Sequence, residues 1–496
     1  CCFSVLCISH FSVKWHKHIT MDGTLCEPSA KRVRWDESVL SIPSQTFEND
    51  STFLRPAAAV APWCKANDAL RLCSAVLATS NTTGGGTRPA VGKEEEGALT
   101  PRERGFRPDF THQLFEDERI EGFEEGQLAI RILYSPMSLD FLIKIQTGNG
   151  GSNTSTAGVL SRLSKALAPG SYTTDERSFL QELEGKGRDF KPPGGRVHEY
   201  RRGDTIFSVY RATGEDIGAC DYHERAQCLA PWYIEAADGI DLTDERWEVF
   251  YLFEEERTPT REILGEKWRP AALAGYFTVF GFRNPVKGVS LRICQALILP
   301  QFQRQGHGQA LLAFLYGLAR SRESVFEITV EDPAPGFEKV RNLVDARTLR
   351  DLNVFPVDVL APDTFTRPSK DVVQAAHEAS KITVSQVEIG FDILKARDVP
   401  VAERDEAESS QSESATPTPT CISSSSSRTA VVGSTETDVA VDRRKRYRLM
   451  VKRRLLKRHG GELSTDASTR KRQLEELYRD LEADLLSLGA KLREEG

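Results

Sequence analysis

The chain has 496 residues, 39% of them hydrophobic and 28% charged, and a formal net charge of -7. That length predicts about three domains, and the composition is that of an ordinary soluble protein with polar tails. No apolar run reaches the roughly 18 residues that a membrane-spanning helix needs. The ten cysteines form no CxxC pair, which argues against a zinc site and a disulfide framework and fits reduced thiols inside a cell.

In chain order, "CCFSVLCISHFSVKW" is apolar but lacks a basic leader and a cleavage site. Met21 is the first methionine, so residues 1–20 are expected to precede the true start. "PSAKRVRWD" is a short basic cluster of the kind that directs nuclear import. Residues 1–100 as a whole read as disordered, because "SNTTGGGTRP" and "GKEEEG" offer no burial pattern.

A first α/β domain is expected over 101–225. Its runs "LAIRILY" and "LDFLIKI" alternate as half-buried strands do, with "TGNGGSNTSTAG" as a loop insertion. Residues 218–236 have helical spacing with a break at Pro231. A second domain over 226–348 holds the strands "WEVFYLF", "LAGYFTVFGF" and "LRICQALIL", the helix "GQALLAFLYGLARS" and the strand "VFEITVED". Asp332 and Pro333 have the form of a cap and first-turn proline opening another helix.

Residues 349–400 form a helical subdomain, and 401–440, with "SESATPTPTCISSSSSRTA", a flexible linker. Residues 441–496 form a basic and amphipathic helical tail. "RRKRYRLMVKRRLLKR" carries ten Lys or Arg, read as a solvated helix face or as a surface for an acidic partner. Contact of this run with nucleic acid is left open. Leu474, Leu477, Leu481, Leu485, Leu488 and Leu492 then line one helix stripe, expected to pack on its own domain.

The chemistry is concentrated in "LPQFQRQGHGQALLAFLY". A strand, a polar arm, Gly306-His307-Gly308 and a helix follow one another. This order offers unpaired N–H groups and a positive dipole end to an anion, and glycines admit phosphate oxygens close to the backbone. A dinucleotide fold fits poorly: residue 311 is Leu where a third glycine belongs, "PQFQRQ" separates the strand from the first glycine, and Glu331 lies too far on. Gln303-Arg304-Gln305-Gly306-His307-Gly308 fits instead the Gln/Arg-x-x-Gly-x-Gly/Ala arm of the GCN5-related N-acetyltransferases, which hold the pyrophosphate of acetyl-coenzyme A.

Five stretches in order, "DFTHQLFEDE", "WYIEAADGIDLTDERW", "GYFTVFGF", "ILPQFQRQGHGQALL" and "EITVEDP", resemble the catalytic subunit of the type B histone acetyltransferases. The resemblance covers roughly residues 106–396, with an echo at "RYRLMVKRRLLKR". It implies an α+β fold: a mixed, mostly antiparallel sheet with splayed central strands and flanking helices, preceded by an N-terminal α/β substrate-binding domain and followed by a helical C-terminal region. It implies acetyl-CoA as cosubstrate, no metal, and transfer to a lysine in the amino-terminal tail of free histone H4. Direct attack in a ternary complex is expected, no cysteine accompanying the motif as an acyl carrier. A WD-repeat histone chaperone as partner and a nuclear and cytoplasmic location follow from the same resemblance.

Carried over residue by residue, it makes Glu331 the general base, with Glu235 and Asp332 as further acids of the site. The backbone of Ala296, Leu297 and Ile298 would pair with pantetheine. Gln303, Arg304, Gln305, Gly306, His307, Gly308 and Gln309 would surround the pyrophosphate, His307 as an exposed spacer. Asp117, Trp247 and Phe280-Gly281-Phe282 would hold the tail. The residues themselves admit plainer readings: Asp332 as a helix cap, Glu235 as a surface residue, the three aromatics as core. The chain also departs from the family pattern, with Arg119 where an acid is usual, phenylalanines in a tyrosine-rich triplet, and Ala334 where a polar side chain could serve the coenzyme. Two other functions stay open at this point: a histone-escort protein that has lost turnover, and an acetyltransferase for another amine.

Overall fold

The computed structural model describes residues 62–77, 99–101, 105–148, 153–188, 190–258, 267–400 and 436–495. Met21, the import-like cluster and the serine-rich linker lie outside them. The first layer comprises β1 (Trp63–Lys65), α1 (Ala66–Ala69), β2 (Leu70–Leu77), β3 (Leu99–Pro101), β4 (Arg119–Glu121), β5 (Leu128–Tyr134), β6 (Phe141–Thr147), α2 (Asn153–Lys165), β7 (Tyr172–Thr173) and α3 (Glu176–Arg188). The second comprises β8 (Gly195–Arg202), β9 (Thr205–Ala212), α4 (Ala219–Ala226), β10 (Trp247–Thr258), β11 (Lys267–Asn284), β12 (Gly288–Ile298), α5 (His307–Ser321) and β13 (Val325–Val330). The helices α6 (Pro335–Asp351), α7 (Val357–Leu360), α8 (Lys370–Ser380), α9 (Val384–Ala396), α10 (Glu436–His459) and α11 (Ala467–Glu494) complete it.

The first layer corrects the expectation of disorder up to residue 100. Leu70 and Leu72 are buried, and β2 runs parallel to β5 from Leu70–Ile130 to Ser74–Tyr134. At eight residues the run is no shorter than β5 or β6; a partner more than fifty residues away supplies its ladder. The segment read as a loop insertion is likewise part helix, since α2 begins at Asn153. Layer and sheet meet where the Leu273 N–H donates to the Pro136 carbonyl at 2.7 Å.

The larger sheet has the order β13-β12-β11-β10-β9-β8 and is antiparallel throughout except for the β12–β13 pair. It is the mixed, mostly antiparallel sheet with flanking helices expected for the acetyltransferase fold. Along β12, Leu291 and Ile293 are buried on one face and, past the extra residue Cys294, Gln295 and Leu297 on the other, with half-buried residues between them. The α5 helix buries His307, Leu311, Leu312, Leu315, Tyr316 and Ala319, spaced to form one stripe. Among the described residues, no helix is long and apolar enough to cross a membrane.

The α10–α11 hairpin docks on α9 and α6. Leu485, Leu488 and Leu492 are buried, as the leucine spacing predicts. Most of the basic side chains of α10 find acidic partners, although only Arg454 among them is buried. Arg443 pairs with Asp363, Arg444 with Glu482, Arg446 with Asp442, Arg448 and Lys452 with Glu475, Arg454 with Asp392, and Lys457 with Glu388. The deepest of these is Asp392 on α9. Fully buried, it accepts from Arg367 and Arg454 at 2.6 Å each, and Tyr447 donates its hydroxyl to the Asp392 carbonyl at 3.1 Å. Losing the carboxylate would strand two guanidinium groups, so Asp392→Ala is expected to lower unfolding free energy by about 3–5 kcal/mol, read from a urea titration.

His223 on α4 is also buried, its Nδ1 against the Tyr251 hydroxyl at 3.0 Å, and burial pushes its pKa down to about 4. A depressed folded value means that its contribution is complete above the unfolded pKa near 6.5 and fades as pH falls toward 4. The urea midpoint should drop over that window, and His223→Gln should flatten the drop.

Candidate active site

The site begins where two strands part. β12 pairs with β13 only from Val289–Val325 to Ile293–Val330, and the junction closes with the Glu331 N–H donating to the Ile293 carbonyl at 2.9 Å. On its other side β12 stays paired with β11 as far as Ile298–Gly275. One extra residue, Cys294, stands between the pairs Val279–Ile293 and Thr278–Gln295, and such a bulge adds twist and bends its strand. Past it, Ala296, Leu297 and Ile298 have no strand neighbour on the β13 side among the described residues. The Leu299 N–H turns to the Ala274 carbonyl at 2.9 Å, so alternation aims the Ala296 and Ile298 N–H groups into the gap.

The polar arm closes the end of that gap. A short 3-10 turn at Pro300–Phe302 leads to Gln303, whose Nε2 donates back to the Ile298 carbonyl at 2.9 Å. Gln305 donates to the Gln301 carbonyl at 2.9 Å, and Arg304 has a φ of 59°. Gly306 is the N-cap of α5 with φ 82° and ψ 7°, a conformation that costs a Cβ-bearing residue, and no side chain caps the helix start. At Gly308 a Cβ would meet nothing nearer than Ile298 Cγ1 at 4.0 Å, leaving open space over the first turn. An exposed strand edge leading to uncapped helix N–H groups fits a long amide-bearing coenzyme that ends in a diphosphate.

His307 departs from expectation. It lies on the core stripe of α5, 1% exposed, with Nδ1 against the Tyr200 hydroxyl at 2.8 Å and its ring 4.2 Å from that of Phe207. Burial, with Arg202 adding to it, pushes its pKa down to about 4. It is a neutral anchor of the loop, because a helix that must bury positions 311, 315 and 319 buries 307 with them. Gln309 is held from α6, its Oε1 accepting from Arg347 at 2.8 Å.

Cross-strand partners share a sheet face, and the pairs Trp247–Phe280, Phe280–Arg292, Phe282–Ser290, Arg292–Thr329 and Ser290–Glu327 place all these side chains on one face. Glu331, two residues beyond Thr329, continues that face and is exposed. Trp247 and Phe280 meet at 4.8 Å and Phe280 and Phe282 at 4.7 Å. Arg246 lies over Phe280 at 4.6 Å and Arg292 over Phe282 at 4.4 Å. The aromatic faces expected to cover a lysine stem are therefore covered by the chain's own arginines. Gly281 donates its N–H to the Arg246 carbonyl at 2.9 Å, fixing this corner.

The segment carrying Glu235 reaches the same bulge from the other side. Gln295 donates through Nε2 to the Asp238 carbonyl at 2.7 Å. Gln113, its amide oxygen facing the segment, accepts from the Ala236 and Ala237 N–H groups at 2.9 and 3.0 Å. Glu235 itself is exposed. Thus the Glu235 and Glu331 segments converge on adjacent residues, Gln295 and Cys294. Asp332 is exposed with φ 30° and caps nothing: α6 begins two residues later than expected, with Ala334 as N-cap and Pro335 in its first turn. Asp117 stands apart in the first layer, exposed at φ 52° and without a hydrogen bond or ion pair to the aromatic face.

A cysteine does accompany the motif. Burial and the Glu331 carboxylate beside it push the Cys294 thiol up to about 12. Sequence reading passed over it because the bulge that brings it to Glu331 is set by register. The one available signal was a Cys-Gln pair inside the apolar run "CQALIL".

Fold and site together define a mixed sheet whose parted outer strands open onto an uncapped helix start. Residues 63–235 match the family model described as "Histone acetyl transferase HAT1 N-terminus". The mouse histone acetyltransferase type B catalytic subunit is 30% identical over 316 residues, covering 62% of this chain and 73% of that protein. Its human counterpart is 29% identical, with 62% and 72% covered. A Dictyostelium discoideum protein of the same name is 30% identical over 275 residues, 53% of this chain and 55% of its own length. This match spans about half of the Dictyostelium relative. The chain belongs to the family of type B histone acetyltransferase catalytic subunits. A solved aminoglycoside acetyltransferase from an uncultured soil sample overlaps 26% of this chain and 78% of its own at 14% identity and a TM-score of 0.19, too slight a likeness to carry weight.

A thiol with so high a pKa stays protonated near neutrality and is a poor nucleophile. Cys294 should therefore react with iodoacetamide more slowly than a free thiol by about tenfold or more at pH 7.5, measured by peptide mass spectrometry, and Cys294→Ala should keep turnover within about threefold.

Proposed function

We propose that this chain is a type B histone acetyltransferase that moves an acetyl group from acetyl-CoA to a lysine ε-amine in the tail of free, newly made histone H4. The observation that carries this reading is the position of Glu331. It sits at the mouth of the β12–β13 gap, on the open sheet face that holds Trp247, Phe280 and Phe282.

The residues fit the coenzyme, and its part when bound is to supply an activated acetyl thioester. The Ala296 and Ile298 backbone would align its amide-bearing arm, and the α5 first turn with Gln303 to Gln309 would hold its diphosphate. A lysine of pKa about 10.4 is neutral in roughly one part in 10³ near pH 7.4. Glu331 receives that proton from the ammonium, directly or through water, and frees the amine to attack. Glu235 and Asp332 add negative charge around the same entrance and favour the approach of a cation. Cys294, kept as a thiol, stays out of the transfer, which supports direct attack over an acyl-enzyme.

The tail would lie along the aromatic corner, with acidic residues including Asp117 steering a basic peptide. A lysine stem entering there has to displace Arg246 or Arg292 from its ring. A WD-repeat histone chaperone as partner, and work in both nucleus and cytoplasm, belong to this reading through the family.

The test is to incubate the chain with acetyl-CoA and an H4 tail peptide, an isolated nucleosome or a small polyamine, and to weigh the products. One acetyl added to the peptide at far higher kcat/KM than to the amine is expected; the reverse order would assign the enzyme to another amine, and no product at all would leave an escort protein. Glu331→Gln should lower kcat by about 10² to 10⁴ with acetyl-CoA binding intact; unchanged turnover would remove Glu331 from the mechanism.

A further inference from the structure

Arg347 on α6 joins two parts of the molecule that are far apart in sequence. One edge of its guanidinium holds Glu495 at the C-cap of α11: Nε donates to Oε2 at 2.9 Å and Nη2 donates to Oε1. Its Nη1 donates to Gln309 Oε1, in the first turn of α5, at 2.8 Å. Arg350 stands behind the same carboxylate at 3.5 Å. Both partners of the ion pair keep only about 30% side-chain exposure, 29% for Arg347 and 31% for Glu495, and the paired arginine holds the Glu495 carboxyl below the usual range. A two-bonded arginine–carboxylate pair fixes the guanidinium plane as well as its position.

The consequence falls on Gln309. An amide whose oxygen is committed to a guanidinium has its nitrogen turned the other way, and Gln309 Nε2 has no partner among the described residues. It lies beside the uncapped N–H groups of α5. An anion at that helix start would meet a side-chain donor already oriented, together with the backbone donors.

We propose that Arg347 is a positioning residue for the coenzyme loop, fixed by Glu495 of α11 and in turn fixing Gln309, so that docking of the α10–α11 hairpin raises affinity for the coenzyme's diphosphate. The proposal rests on the reading of the loop as an acetyl-CoA site. By linkage, coenzyme binding tightens the hairpin to the same degree that the hairpin tightens coenzyme binding. A helical tail that sequence alone presents as a basic appendage thereby acts on the cofactor site.

The test uses the full chain and acetyl-CoA, with calorimetry for Kd and steady-state kinetics for KM and kcat. Glu495→Gln should raise Kd and KM by about three- to tenfold, the loss of one charge-assisted contact, with kcat within about twofold. In a Gln309→Ala background it should add little, because both substitutions interrupt one path. Asp484→Asn, which removes the separate α11–α6 ion pair with Lys339 at 2.9 Å, should leave Kd unchanged. In the unmodified chain, saturating acetyl-CoA should slow amide hydrogen exchange in α11. A wild-type Kd in Glu495→Gln, an equal loss in Asp484→Asn, or unaltered exchange would overturn the proposal. Absence of acetyl-CoA binding by the unmodified chain would instead overturn the function reading beneath it.

Discussion

One extra residue in β12 governs the rest of the site. Cys294 has no counterpart in β11, and the bend it puts into the strand ends the ladder with β13 at Ile293–Val330. A parallel pair that continued would close the gap and satisfy the Ala296 and Ile298 backbone internally. Because it stops, a polar strand edge stays open between β12 and the outermost strand β13, and the arm from Gln303 to Gln309 lies at its far end. Glu331 owes its position to the same event, being the first residue of β13's exit whose N–H still reaches the Ile293 carbonyl.

That geometry sorts charge by face. The face buried by α5 and α6 is apolar, whereas the open face carries Trp247, Phe280, Phe282, Arg292 and Glu331. Arginines over aromatic rings are a low-energy arrangement, and here Arg246 lies over Phe280 and Arg292 over Phe282.

The helices beyond β13 form a brace around α5. Asp392 with Arg367 and Arg454 pins α10 to α9, and Arg347 reaches from Glu495 to Gln309. The basic run of α10 looks like a surface for an external polyanion when read as a string of charges. In three dimensions six of the ten face acids of α9, α11 and the loop at Asp363 while most keep an exposed side.

Much was legible in the sequence. The strands and helices around "LRICQALILPQFQRQGHGQALLAFLY", the leucine stripe of α11 and the order of sheet and helices follow from local periodicity, which the backbone enforces wherever one face is buried. The glycine arm is equally local, because a left-handed Gly306 and an open Gly308 are demanded by the turn itself. Tertiary structure alone decided the rest. Pairing across more than fifty residues gave β2 a place in a sheet; register put Cys294 against Glu331; the shared stripe of α5 drew His307 inward; and α6 began late enough to leave Asp332 exposed. Each depends on which distant residue stands opposite. Periodicity reports that a face is buried, but not what buries it.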